Sequence, residues 1–308
     1  MKTVQFETFS NMNNIPKVSI VLVTYNRAHA ILNTLRSISE QTMGNFECII
    51  MDDCSTDQTP KVCKEWSVHD SRFRYYRQPN NLGMPLNMNI GILKCQGEFI
   101  VNMHDGDIYR QDALEQWLHV LEKYPSAAMA FNAYVGLDEN GNESTYYIEN
   151  LPEVMPGIKL IDEFFRRWLF DSPVWGTAMV RRSAYQELGL FCEDYRFFSD
   201  IEFWIRLAMH YDVCYIPEPL IHLPSRKVLP RLFKNDLWKD EWLVQQIFYE
   251  CRRKVYSKEP LKLLFEIFKH NLFRVAKGLR YMLIFGRKRN WSQEIYAAQF
   301  IIGIPSKF

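Results

Sequence analysis

From Lys17 to about residue 135 the apolar positions keep two alternating rhythms, short β-branched runs and longer stretches with apolar residues at helical spacing. VSIVLVT (18–24) reads as a buried strand, and residues 28–41 then place Ile31, Leu35 and Ile38 on one helical stripe. FECIIMD (46–52) is a second strand, followed by a helix over 57–67 with Pro60 in its first turn. FRYYRQ (73–78), a helix over 84–95, EFIVNMHD (98–105), a helix over 109–124 and AAMAFNAYV (127–135) complete the series. Strands alternating with helical crossovers predict a parallel sheet with helices on its faces. Asn140-Gly141, between alternating stretches of 137–148, signals a hairpin, so the second half is expected to be mixed. Pro217, Pro219, Pro224 and Pro230 are expected to break regular structure, and beyond them the pattern is helical until Gly303 and Pro305. The predicted organisation is an N-terminal tail (1–15), an α/β domain (16–225) and a helical region (226–308).

With 308 residues, 47% of them hydrophobic and 24% charged, the chain has a globular composition that excludes collagen and wholesale disorder. No run approaches the roughly 18 apolar residues of a spanning helix. The first residues also lack the basic start and apolar block of a secretion signal, so a cytoplasmic location is expected. The seven cysteines are scattered and never form C-x-x-C, which argues against a disulfide framework and a cysteine zinc site. The net charge of +1 conceals a division: residues 1–225 carry 19 Lys+Arg against 29 Asp+Glu, a net −10, whereas 226–308 carry 18 against 7, a net +11.

Ligands of open α/β sheets bind beyond the carboxyl ends of the strands. Three of these ends are polar: Thr24-Tyr25-Asn26-Arg27, Asp52-Asp53-Cys54-Ser55-Thr56-Asp57, and His104-Asp105-Gly106-Asp107. The first turn has no glycine, which excludes a dinucleotide-binding turn and a phosphate-cradling P-loop. A nucleotide base stacked on Tyr25, with an aspartate accepting from its edge, stays open beside a plainer reading in which Tyr25 caps the sheet and Asp53 begins a turn. Asp105-Gly106-Asp107 offers hard oxygens to Mg²⁺ or Mn²⁺ alongside substrate phosphates, or forms a surface turn. In FFSDIEFWIRLA (197–208), Asp200 either caps the helix or, held against Trp204 and Phe198, serves as a general base, with Glu202 as second choice.

Four ordered pieces, PKVSIVLVTYNR, SISEQTMGNFECIIMDDCSTDQT, NNLGMPLNMNIGILKCQGEFIVNMHDGD and FFSDIEFWIRLA, resemble the inverting family 2 glycosyltransferases of the GT-A fold. The resemblance covers Lys17 to Arg226. It implies a Rossmann-like mixed sheet flanked by helices, here with a helical C-terminal extension. It also implies transfer, with inversion, from a nucleotide-diphosphate sugar, UDP being the commonest nucleotide, to a hydroxyl of a saccharide or lipid-linked acceptor in cell-surface polysaccharide or glycoconjugate synthesis. In these terms Tyr25 and Asp53 hold the base, with Thr24, Arg27 and Asp105 also in the nucleotide-sugar site. Asp105 and Asp107 hold a divalent Mn²⁺ or Mg²⁺, and Asp200 deprotonates the acceptor.

Two departures stand out. The family's D-x-D-D signature falls on His104, Asp105, Gly106 and Asp107, so the middle aspartate is Gly106. Met88 stands where relatives carry a basic residue, which leaves the phosphates to the metal, to Arg27 or to His222 or Arg226. Two other classes stay open: a metal-dependent phosphohydrolase or nucleotidyltransferase using the same acidic edge, which would release phosphate or pyrophosphate, and a non-catalytic subunit that keeps the fold and donor pocket while organising a membrane-associated synthase.

In the tail, Leu261, Leu264, Phe268, Leu272, Val275, Leu279 and Met282 share one helical stripe, with Lys262, Lys269, Lys277 and Arg280 opposite. Residues 252–289 hold 12 Lys+Arg and two acidic residues, which predicts peripheral contact with an anionic membrane, on its inner face for a cytoplasmic protein. Leu263, Ile267, Phe273 and Tyr281 lie off the stripe, so a helix packed on its neighbours stays open. Nucleic acid is not an expected partner, because no recognition module accompanies the charge.

Overall fold

In the computed structural model the described residues are Phe6, 15–166, 172–174, 176–224, 237–269, 271, 272 and 275, with only the backbone described for 237–242. The first half follows the alternating pattern: β1 (Val18–Thr24), α1 (Ile31–Ser39), β2 (Phe46–Asp52), α2 (Thr59–His69), β3 (Phe73–Arg77), α3 (Met84–Leu93) and β4 (Phe99–His104). β1 is buried at every residue because it pairs in parallel with β2 on one side and β4 on the other. Its side chains divide by the period of two. Ile20 and Leu22 join Ile31, Leu35 and Ile38 of α1 in the main core. Val21 points the other way, towards α3, where a β-carbon on Gly91 would overlap Val21 and Met51, so glycine lets that helix lie close on the sheet.

The second half continues with β5 (Ile108–Tyr109), α4 (Ala113–Lys123), β6 (Ala127–Leu137), β7 (Glu143–Tyr147), β8 (Val154–Met155), α5 (Gly157–Arg166), β9 (Met179–Arg181) and α6 (Arg182–Leu188). A 3₁₀ turn (Glu193–Phe198), α7 (Ser199–Ala208) and β10 (Asp212–Leu223) follow. The strand order is β3-β2-β1-β4-β9-β6-β10-β5, with β7 paired to β6 and β8 to β10. β9 runs antiparallel to both β4 and β6, which makes the sheet mixed.

Two expectations are corrected. The helix predicted over 109–124 begins only at Ala113, because Ile108 and Tyr109 pair with β10 and the Tyr109 N–H donates to Ser37 Oγ at 3.2 Å. Pro217 and Pro219 do not end regular structure: β10 runs through both, with register shifts around Pro219, where missing ladder donors are tolerated. The hairpin at Asn140-Gly141 forms as β6–β7, with Asp138 Oδ1 accepting the N–H groups of Asn140 and Asn142, both at 2.8 Å.

The chain separates into two compact units, Met1–Arg226 and Lys227–Phe308. In the second, α8 (Leu237–Val255) buries Val244, Ile247, Phe248 and Cys251, and the backbone is helical again over 260–269. Arg226, Phe273, Lys277, Leu279, Arg280, Tyr281 and Met282 lie outside the described residues. Among the described residues no helix is long and apolar enough to cross a membrane.

Candidate functional site

Thr24, Asp52 and His104 end three neighbouring parallel strands, with Thr24 paired to Asp52 and Val23 to His104, so the turns that follow share one edge of the sheet. The first two turns are laced together. Asn26, at φ 53°, donates its N–H to Ser55 Oγ at 2.9 Å and accepts the Thr56 N–H on its Oδ1 at 2.8 Å. Arg27 N–H donates to Thr59 Oγ1 at 2.9 Å, and Asp53 N–H donates to the Thr24 carbonyl at 2.9 Å. Tyr25 is left 45% exposed above this scaffold, an apolar ring face open to a flat ligand.

The two adjacent aspartates differ in environment. Asp52 is wholly buried and accepts the Ser55 N–H at 2.8 Å and the Tyr75 hydroxyl at 2.6 Å, which makes it part of the frame. Asp53 clasps the loop before α3, its Oδ1 accepting the Leu82 N–H at 2.7 Å and its Oδ2 the Gly83 N–H at 2.9 Å. Each carboxylate oxygen keeps a second lone pair, so a base N–H can still be received.

Asp105 has a side chain 13% exposed, with Arg27 Nε 3.5 Å from its Oδ1. Burial raises its carboxyl above the ordinary aspartate value, opposed by the Arg27 and His104 charges and the Tyr25 amide. Gly106, at φ 89°, donates its N–H to Thr34 Oγ1 at 2.9 Å, and that hydroxyl donates to the Asp107 carbonyl at 2.8 Å. Asp107 is completely buried. Of the acidic pair, therefore, Asp105 is the one that reaches the open edge.

Asp200 is the second residue of α7, and the helix has no side-chain cap bond at Phe198. Its Oδ1 accepts the Ile201 N–H at 2.8 Å. Although the residue keeps partial solvent access, the protein enclosing its carboxyl pushes the pKa up to about 6, against the backbone hydrogen bond from Ile201 and the opposing charge of His104. Gly176, at φ 92°, lies between these two groups: a β-carbon there would stand 3.1 Å from His104 Nε2 and 3.2 Å from Asp200 Oδ2. The His104 ring has no hydrogen-bond partner among the described residues. A small oxygen over Gly176 would meet both a carboxylate oxygen and a ring nitrogen.

The other candidates belong elsewhere. Glu202 is buried in a two-bond pair with Arg206, at 2.9 Å each, while Arg206 also donates to the Leu188 and Leu190 carbonyls. His222 Nε2 lies 2.9 Å from Glu143 Oε1, and Met88 is a core residue. Trp204 packs against Phe191 and Phe203.

Thus the Asp53 N–H bonds the Thr24 carbonyl, Arg27 reaches Asp105, His104 and Asp105 are consecutive, and His104 and Asp200 both face Gly176. Gly176 carries no sequence signal, because a lone glycine in WGTAMV shows neither its positive φ nor its neighbours. No three His, Cys, Asp or Glu side chains among the described residues gather as a self-sufficient metal site. The partly exposed Asp105 carboxylate does fit a hard cation carried mainly by phosphate oxygens and water, which needs only one or two protein ligands.

The family model for Glycosyl transferase family 2 matches residues 19–189. EpsE of Bacillus subtilis, named as a glycosyltransferase, is 28% identical over 198 residues, which is 63% of this chain and 68% of EpsE. Across the curated relatives compared, the matched segment spans between 26% and 68% of their own length. TarS 1–349 of S. aureus, solved in complex with UDP-GlcNAc, superposes with a TM-score of 0.57 at 15% identity, covering 95% of this chain and 93% of that one. The mannosyltransferase PcManGT of Pyrobaculum calidifontis, in complex with GDP-Man and Mn²⁺, gives 0.54 at 17% identity, covering 93% and 87%. At these identities the likeness shows the fold, that of GT-A glycosyltransferases.

Proposed function

Because this chain belongs to glycosyl transferase family 2, we propose that it moves a sugar from a nucleoside-diphosphate sugar to an acceptor hydroxyl with inversion. The work falls to residues 16–225, and the donor is a UDP sugar. The base lies on the Tyr25 ring with its edge toward Asp53, and the diphosphate lies along Thr24, Arg27 and Asp105. A divalent cation would be held there by Asp105, with Asp107 behind it, and would supply charge stabilisation to the departing diphosphate.

Asp200 takes the proton of the acceptor hydroxyl as that oxygen forms its bond to the anomeric carbon. The bond from that carbon to the diphosphate breaks, and its electron pair leaves with the nucleoside diphosphate. One displacement inverts the carbon, so no carboxylate nucleophile is required. The acceptor is a saccharide or lipid-linked saccharide at the inner face of the membrane, in cell-surface polysaccharide or glycoconjugate synthesis.

The observation that carries this reading is the placement of Asp200 and His104 on either side of Gly176, at the strand edge that also bears Thr24 and Asp105. A thermal-shift screen of nucleoside diphosphates and their sugars, with and without Mn²⁺, tests it. Selective stabilisation by one nucleotide, and release of that intact diphosphate on turnover, are expected. Release of phosphate or pyrophosphate instead, or no stabilisation by any nucleotide, refutes it.

A further inference from the structure

We propose that the helical residues 260–269, 271 and 272 dock the second unit onto an anionic lipid surface. At 100° per residue Leu261, Leu264, Phe265, Phe268 and Leu272 fall on one stripe. All five are exposed, between 59% and 83%. Leu263 and Ile267, which lie on another side of the same helix, are only partly exposed, so the helix has a separate apolar face for packing. The stripe is thus a second apolar face turned to solvent, a feature that marks a contact surface.

Charge selects the occupant. Residues 226–308 carry 18 Lys+Arg against 7 Asp+Glu. Arg253, Lys254, Lys258, Lys262 and Lys269 are exposed on or just before the helix. Lys262 and Lys269, expected opposite the stripe, lie beside it, with Nζ 4.7 Å from the Tyr256 ring centroid and 5.0 Å from that of Phe265, so their stems lie over aromatic surface. Each also meets a glutamate, Glu259 or Glu266, which leaves the excess positive charge to Arg253, Lys254 and Lys258. Two copies meeting through this face would bring like charge together. A bilayer bearing anionic headgroups takes both the apolar stripe and the cations beside it.

The inference stands on residues of the second unit alone and is tested without substrate. Full-length protein is sedimented with phosphatidylcholine vesicles, with and without phosphatidylglycerol, at low and high salt. Binding to the phosphatidylglycerol vesicles is expected at low salt, at least about tenfold weaker on phosphatidylcholine alone, and falling as salt rises. Leu264→Glu with Phe268→Glu should reduce it about tenfold at unchanged Tm, and Lys254→Glu with Lys258→Glu several-fold. Absence of wild-type binding overturns the proposal, as does equal binding by the Leu264/Phe268 variant. A lower Tm in that variant would show the stripe covered by the chain itself, and a dimer that the variant dissociates would assign it to a second copy; either result also overturns the proposal.

Discussion

His104 Nε2 and Asp200 Oδ2 converge on one point above the α-carbon of Gly176, a β-carbon at that point lying 3.1 Å from the nitrogen and 3.2 Å from the oxygen. One group ends β4 and the other opens α7, so sheet and helix meet here through side chains far apart in sequence. The first test follows from the missing side chain. Gly176→Ala fills the point and forces an alanine to φ 92°, at a cost of about 1 to 2 kcal/mol in stability. Transfer should fall about 100-fold while UDP affinity, measured by calorimetry, changes only a few fold, because misplacement by an ångström is enough to spoil the attack. Unimpaired transfer removes this point from the reaction.

Asp200 should combine lost activity with gained stability. Its carboxyl is raised to about 6 chiefly by burial. A group whose pKa is higher in the fold than in the unfolded chain contributes stability that is full below the unfolded value and is lost as pH rises through the folded one. As the proposed base, Asp200 would have to be ionised, so kcat/KM should decline as pH falls below about 6. Asp200→Asn should lose transfer by about 10²- to 10⁴-fold and keep UDP affinity. At pH 7.5 its unfolding free energy should exceed that of the wild type by on the order of 1 to 2 kcal/mol, discounted for partial exposure, and the two should converge near pH 4. A variant less stable than wild type at pH 7.5 contradicts a strained, buried carboxylate.

Much of this site can be read along the chain because its first three pieces are strand ends, where buried runs such as VSIVLVT and FECIIMD stop abruptly at polar residues. Parallel order then carries Thr24, Asp52 and His104 to one edge. The distinction between Asp52 and Asp53 is invisible at that level, since it depends on which carboxylate faces Tyr75 and which faces the 82–83 amides. Gly176 was hidden for the same reason. β10 departs from the expected break at Pro217 and Pro219 because both fall where its ladder with β6 is irregular, a feature the residue types alone do not show.

Asp53 holds the loop before α3, and in the proposed function it also receives the base. Asp53→Ala strands the Leu82 and Gly83 N–H groups, at a cost of about 1 to 3 kcal/mol. It should also weaken UDP about tenfold or more. Chemical denaturation reads the first effect and calorimetry the second, and an unchanged UDP affinity would confine Asp53 to holding the loop.

The metal test separates the two aspartates of the HDGD turn. In the wild type Mn²⁺ should strengthen UDP binding, and EDTA should reverse the gain. Asp105→Asn should abolish that increment, because it removes the charge at the open edge. Asp107→Asn should lower Tm, since the residue is wholly buried, and should retain most of the Mn²⁺ increment. Equal UDP affinity with Mn²⁺ and with EDTA in the wild type would leave the diphosphate to Arg27 and its neighbours.

Glu202 and Asp200 lie in the same turn of α7 and should respond to neutralisation with opposite signs. Glu202 is held by two hydrogen bonds of 2.9 Å from Arg206, whose remaining donors reach the Leu188 and Leu190 carbonyls. The glutamate side chain is 6% exposed and the arginine 21%, so Glu202→Gln leaves a guanidinium short of its counter-charge in a mostly closed place. Removing one partner of such a pair is far costlier than losing a surface bridge, and with some solvent at Arg206 the expected loss is about 2 to 3 kcal/mol. Transfer per folded molecule should stay within a few fold, because among the described residues Glu202 bonds to Arg206 and not to the groups over Gly176. Urea unfolding and single-turnover rates measured on both variants decide the matter. A stable but inactive Glu202→Gln, beside an active Asp200→Asn, would exchange the two roles.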